Sequence, residues 1–219
     1  MITYDLPLFP LNTVLFPGIP LRLHIFEDRY KQMVQACLQT SQPFGVVLIR
    51  SGNEALGPLA EPYPIGCIAQ IMRIQELSEG RYNLLVIGRE RFRILSRDDS
   101  SRPYMMGTVV AFPLQTNPGE DLGRITEQLR SFLRHYLEVW SEAGHHPMDP
   151  DVIPENPVEL AYLAASMVQI PLDEKQELLS VENTLDLLVQ LEKVYRRELA
   201  LSRVISSFHG QFPGTFSVN

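Results

Sequence analysis

Cysteine is nearly missing from this chain of 219 residues. Cys37 and Cys67 are too few for a disulfide framework or a zinc site. No stretch approaches the roughly 20 apolar residues that span a bilayer, so no membrane partner is expected. The opening residues, Met1-Ile2-Thr3-Tyr4-Asp5, lack a basic leader region, and prolines soon break the apolar stretch behind them. A secretory signal is therefore not expected, and a cytoplasmic location is the default. Lysine occurs only at Lys31, Lys175 and Lys193, which leaves lysine-dependent chemistry few candidates. Nucleotide and nucleophile motifs are lacking as well. Gly52 and Gly57 have the spacing of a phosphate-binding loop, but Pro58 and Leu59 stand where Lys and Ser/Thr are required. There is no dinucleotide-type G-x-G-x-x-G and no G-x-S-x-G elbow.

What is present is a globular composition, 45% apolar and 21% charged, which excludes a disordered or coiled-coil chain. The charge is unevenly placed. Residues 1–113 carry 11 basic and 10 acidic side chains, and residues 114–219 carry 8 and 16. An acidic second half argues against nucleic acid as a partner, because such binding needs a basic footprint.

The first half reads as strands and turns. Leu6-Pro7-Leu8-Phe9-Pro10-Leu11 predicts a strand that lies at an edge or is interrupted, since proline cannot donate to a ladder. Phe44 to Ile49 is a continuous apolar run, as expected of a strand buried on both faces. Ile65, Ile68, Ile71, Ile74 and Leu77 have a spacing of three that could suit a helix, but the β-branched content and Gly66 favour a strand with a bulge, and Glu79-Gly80 supplies a hairpin turn. The return strand places Arg89, Arg91 and Arg93 on one face and Phe92 and Ile94 on the other. One helix interrupts this half, with Phe26, Tyr30, Met33, Val34, Cys37 and Leu38 on one side.

The second half reads as helices. Start signals stand at Asn117-Pro118-Gly119-Glu120, at Asn156-Pro157-Val158-Glu159 and at Asp173-Glu174-Lys175-Gln176. A last helix is predicted from about Asn183 to Ser207. Its Leu185, Leu188, Val189, Tyr195 and Leu199 are expected to cover the sheet of the first half. Gly144 to Pro154 reads as a loop.

Candidates for chemistry are few. His145-His146 with Asp149 and Asp151 carries no HExxH or CxxC support and reads as a solvated loop rather than a metal site. Cys37 and Cys67 read as buried structural residues, and His24, His135 and His209 as isolated polar ones. Arg89, Arg91 and Arg93 form the one basic stripe, either a solvated face paired with carboxylates or a surface for RNA or a polypeptide carboxylate. Phe208, Phe212 and Phe216 recur every four residues where Gly210, Pro213 and Gly214 forbid a helix. They are read as a tail that fills a groove, or as an internal mimic guarding it.

Several segments together resemble the amino-terminal signature of the Lon protease substrate-binding domain. They are Leu6-Pro7-Leu8-Phe9-Pro10-Leu11, Val14-Leu15-Phe16-Pro17-Gly18, Pro20-Leu21 and Ile25-Phe26-Glu27-Asp28-Arg29-Tyr30. The similarity continues at Ile65-Gly66-Cys67-Ile68-Ala69, Gly88-Arg89-Glu90-Arg91-Phe92, Gln169-Ile170-Pro171 and Glu174 to Leu179. The resemblance implies an α+β fold: an amino-terminal PUA-like β-barrel with one helix, over residues 1–115, then an α-helical bundle over 116–207 and a tail over 208–219. A Walker lysine, a peptidase segment and the paired CxxC of cereblon-type relatives are all missing, so a stand-alone, non-catalytic version is expected. The implied function is binding of unfolded or apolar polypeptide segments, as an adaptor or chaperone-like module, with a separate protease as one expected partner. An RNA-binding PUA-like protein is the alternative. No cofactor and no metal are expected.

Overall fold

The computed structural model describes residues 2–52, 60–142 and 153–209. The chain enters as strand β1 (Thr3–Leu11), crosses to β2 (Pro20–Ile25), and turns into helix α1 (Asp28–Thr40). Strands β3 (Phe44–Ser51), β4 (Glu61–Glu76), β5 (Tyr82–Asp98) and β6 (Met106–Ala111) follow. Four helices complete it: α2 (Gly123–Glu142), α3 (Pro157–Met167), α4 (Leu172–Ser180) and α5 (Thr184–His209). None of the described helices is long and apolar enough to cross a membrane.

The six strands form one mixed sheet in the order β2-β5-β4-β3-β1-β6, and β5 also pairs with β6. Five strands thus close a ring, and β2 is left outside it, attached to β5 alone. The length of β5 makes this possible. Its first half, Tyr82 to Ile87, carries β2, and its second half, Phe92 to Asp98, carries β6. β1 changes partner midway: Thr3 to Pro7 run antiparallel to β6, and Leu8 to Leu11 run parallel to β3. Among the described residues Pro7 pairs only with β6 and Pro10 only with β3, so neither proline interrupts a ladder on both sides. The expected bulge in β4 is present, as register shifts against β5 between Cys67 and Ala69 and between Ile71 and Arg73. The hairpin tip places Glu79 and Gly80 at φ 63° and 64°, a two-residue turn of the hand that suits twisted strands.

β3 is buried on both faces. Phe44 and Val46 join a cluster under α1 with Phe9, Ile25, Tyr30, Met33, Cys67 and Leu84. Val47 instead joins Leu6, Leu8, Phe92, Met105 and Val109, where strands of the ring face one another. α1 buries Tyr30, Met33, Val34 and Cys37, but begins after Phe26, and Phe26 and Leu38 are exposed.

Two helix starts fall elsewhere than expected. Glu120 does reach back to the Asn117 amide at 3.3 Å, but Gly119 at φ 87° turns the chain away and α2 begins only at Gly123, whose amide donates to Asp121 Oδ1 at 3.0 Å. α4 begins at Leu172 with no side-chain cap, so Asp173 lies inside its first turn, where its charge suits the helix dipole. Asn156 caps as expected, accepting from the amides of Val158 at 2.9 Å and Glu159 at 3.2 Å.

α5 does not cover the sheet. Leu187, Leu188, Leu191, Tyr195 and Leu199 pack with Leu129, Leu133 and Tyr136 of α2 and with Leu160, Ala161 and Ala164 of α3. Phe16 and Ile65 are the buried residues of the first half that reach this cluster. The sheet is met instead by α4, where the Gln176 side-chain amide donates to the Ile65 carbonyl oxygen at 3.0 Å.

Candidate functional site

β2 has one unpaired edge. Residues Pro20 to Ile25 pair with Ile87 to Tyr82 on one side, and among the described residues no other backbone bonds to them on the other. The strand alternates by the pleat. Leu21, Leu23 and Ile25 point toward α1, and Arg22 and His24 point to the opposite face.

A cleft of about 460 Å³ runs along the apolar side of this strand. Phe9, Leu11, Leu21, Leu23, Ile25, Phe26 and Tyr30 wall it, and the polar residues Asn12, Thr13, Arg22, His24 and Glu27 also border it. Its floor is held by ring contacts. Phe9 and Tyr30 lie 4.3 Å apart, and the Arg29 guanidinium sits 4.7 Å over Tyr30 while pairing with Glu27 at 2.9 Å. Phe26 is about half exposed and stacks on His24, 6.0 Å between rings.

The other face of β2, β5 and β4 is a second, shallow groove of about 440 Å³. Arg22, His24, Arg73, Gln75, Asn83 and Leu85 line it, with no carboxylate among them. The pairing sets Asn83 opposite both His24 and Gln75. His24 Nδ1 donates to Asn83 Oδ1 at 2.8 Å, and Asn83 Nδ2 donates to Gln75 Oε1 at 3.3 Å. Arg22 and Arg73 flank Leu85 on this face and make no ion pair among the described residues.

The arginine stripe does not act as one surface. Arg89, Arg91 and Arg93 share the outward side of β5, but the helices pack over the middle of it. Arg91 is 2% exposed; its Nη1 donates to the carbonyl oxygens of Leu179 at 2.7 Å and Val181 at 2.5 Å, and its guanidinium lies 4.7 Å from the Phe112 ring. Arg93 pairs with Glu182 at 2.9 Å and stacks over the same ring at 4.5 Å. Arg89 remains exposed beside Met72. The expectation of a solvent-facing triplet is thus corrected at Arg91, which seals the seam between sheet and helices.

Neither thiol is available as a nucleophile. Burial pushes Cys37 up to about 11 and Cys67 up to about 12. His135 pairs with Glu138 at 3.5 Å on α2. No group of metal-ligating side chains is found among the described residues. The His145-His146 loop, Phe212 and Phe216 lie outside the described residues, as does the side chain of Phe208 near the end of α5.

The alternation of β2 is legible in Leu21-Arg22-Leu23-His24-Ile25. Its free edge is not, because that depends on which strands close the ring.

A family model described as the ATP-dependent protease La (LON) substrate-binding domain matches residues 5–196. Among curated proteins, the chain is 28% identical over 207 residues to Lon protease 2 of Myxococcus xanthus, covering 92% of this chain and 25% of that protein. It is 31% identical over 186 residues to the Lon protease of Paraburkholderia phytofirmans, covering 84% and 22%. The chain thus spans about a quarter of the length of the curated relatives it matches. Among solved structures, a Lon N-terminal domain protein from Xanthomonas campestris superposes with TM-score 0.63 at 24% identity, over 86% of this chain and 96% of that one. The N-terminal domain of Mycobacterium avium complex Lon protease gives TM-score 0.63 at 15% identity, over 88% and 98%. Both share the α+β fold.

Proposed function

The chain belongs to the ATP-dependent protease La (LON) substrate-binding domain family, and from that membership we propose that it is a non-catalytic module that recognises unfolded or apolar polypeptide segments. The observation that supports this best is the cleft along β2. It is apolar, partly open and walled by side chains fixed from three different elements, β1, β2 and α1. Such a concavity receives apolar side chains without rearranging. The first half, residues 1–115, is on this reading a PUA-like barrel that presents the cleft, and residues 116–207 are a helical bundle docked on it. The module works in the cytoplasm as an adaptor or chaperone-like partner of a separate protease. Arg89 and Arg93, and Phe208, Phe212 and Phe216 of the segment that reaches into the 208–219 tail, are secondary contact candidates. The RNA-binding alternative keeps little from the arginine stripe, since Arg91 at its middle is used internally.

The test is binding of a reduced, carboxymethylated apolar protein, followed by fluorescence anisotropy. Micromolar binding is expected, weakened roughly fivefold to tenfold by Phe26→Ala, as for a residue near the centre of an interface. Unchanged affinity in Phe26→Ala and Leu21→Ala with the fold retained would place the binding surface elsewhere.

A further inference from the structure

We propose that the free edge of β2 takes up a polypeptide segment as an added β-strand, and that it selects segments in which apolar and acidic residues alternate. This rests on the polypeptide-binding reading above and specifies its mode. The three requirements of strand addition coincide at one place. The outer backbone edge of Pro20 to Ile25 is unpaired among the described residues. A largely apolar cleft lies along one face of that edge, and along the other lies a groove whose lining has no carboxylate and whose Arg22 and Arg73 make no ion pair among the described residues.

The selection follows from the pleat. An added strand continues the sheet, so its side chains alternate between the same two faces. Every second residue then meets Leu21 and Leu23 on the cleft side. The residues between them meet Arg22 and His24, with Arg73 two strands further in. An acidic side chain there gains the guanidinium of Arg22; a basic one is repelled. Glu27, the one carboxylate at the cleft, is neutralised by Arg29 at 2.9 Å and does not oppose this preference.

The test uses fluorescein-labelled eight-residue peptides with the full chain. One is a Leu-Glu repeat, one has the same composition as a Leu block followed by a Glu block, and one is a Leu-Lys repeat. Two more are Leu-Glu repeats carrying N-methyl groups on one or the other alternate set of residues. The Leu-Glu repeat is expected to bind about tenfold tighter than the block peptide, since only the repeat satisfies both faces and the backbone ladder together. Only one of the two N-methylated peptides should lose binding, because only every second amide faces β2. Arg22→Glu should shift the ratio of Leu-Glu to Leu-Lys affinity roughly fivefold toward the basic peptide. Equal binding of repeat and block, or equal tolerance of both N-methyl patterns, would overturn strand addition. If the carboxymethylated protein still binds in that case, the polypeptide-binding reading survives without it. If neither the peptides nor that protein bind, both readings fall.

Discussion

Arg91 Nη1 donates to the Leu179 carbonyl oxygen at 2.7 Å, across 88 residues of sequence, and thereby joins β5 to the end of α4. The same nitrogen reaches Val181, so one side chain satisfies two carbonyls where the helix ends. Arg91→Ala is expected to destabilise the protein by about 2–5 kcal/mol in chemical denaturation, combining the orphaned carbonyls with the cavity left between sheet and helices. Arg91→Lys should recover less than half of that. Lysine lacks the planar group that stacks on Phe112 while donating sideways.

Gly88 is needed for its missing side chain. Its amide donates to the Ile19 carbonyl oxygen at 3.0 Å, and its own carbonyl oxygen accepts from Gly18 at 2.9 Å, which pins the segment leading into β2. A Cβ at this position collides with the Phe16 carbonyl oxygen and approaches Cys67 Sγ to 3.1 Å. Gly88→Ala should therefore cost about 1–3 kcal/mol. On the proposed polypeptide-binding reading it should also weaken binding of the carboxymethylated protein, because the displaced segment leads into the edge strand. An unchanged melting temperature would show that the segment can move away freely.

The two thiols predict both a reactivity and a pH dependence. Neither Cys37 nor Cys67 should react with a thiol reagent at neutral pH until the protein unfolds. Because burial raises both groups in the folded state, their contribution to stability is complete below the ordinary thiol value. For Cys67 it is lost as pH rises between about 9 and 12. Cys67→Ala should flatten that alkaline loss, measured as denaturation midpoint against pH. An identical slope in the variant would exclude Cys67 as its source.

Two asparagines that look alike in sequence should behave differently. Asn156→Ala removes a cap that holds two amides and should cost about 1 kcal/mol, within the usual 0.5–2 range. Asn117→Ala disturbs an exposed turn ahead of α2 and should cost clearly less in the same denaturation assay.

The sequence by itself determined the local elements and the family. The continuous apolar run of β3, the alternation of β5, the left-handed pair at Glu79-Gly80 and the cap at Asn156 are local preferences, and each is realised in the fold. Where a local signal failed, a neighbour overruled it. Gly119 turned the chain before the box at Asn117 could nucleate a helix, and the stripe of Arg89, Arg91 and Arg93 was divided by helices lying 88 to 90 residues away. The tertiary structure alone decided that β5 is shared between β2 and β6, because ring closure depends on strand partners distant in sequence. That closure left β2 outside, with one edge open among the described residues, and so put a largely apolar cleft on one side of these six residues and a groove without carboxylates on the other.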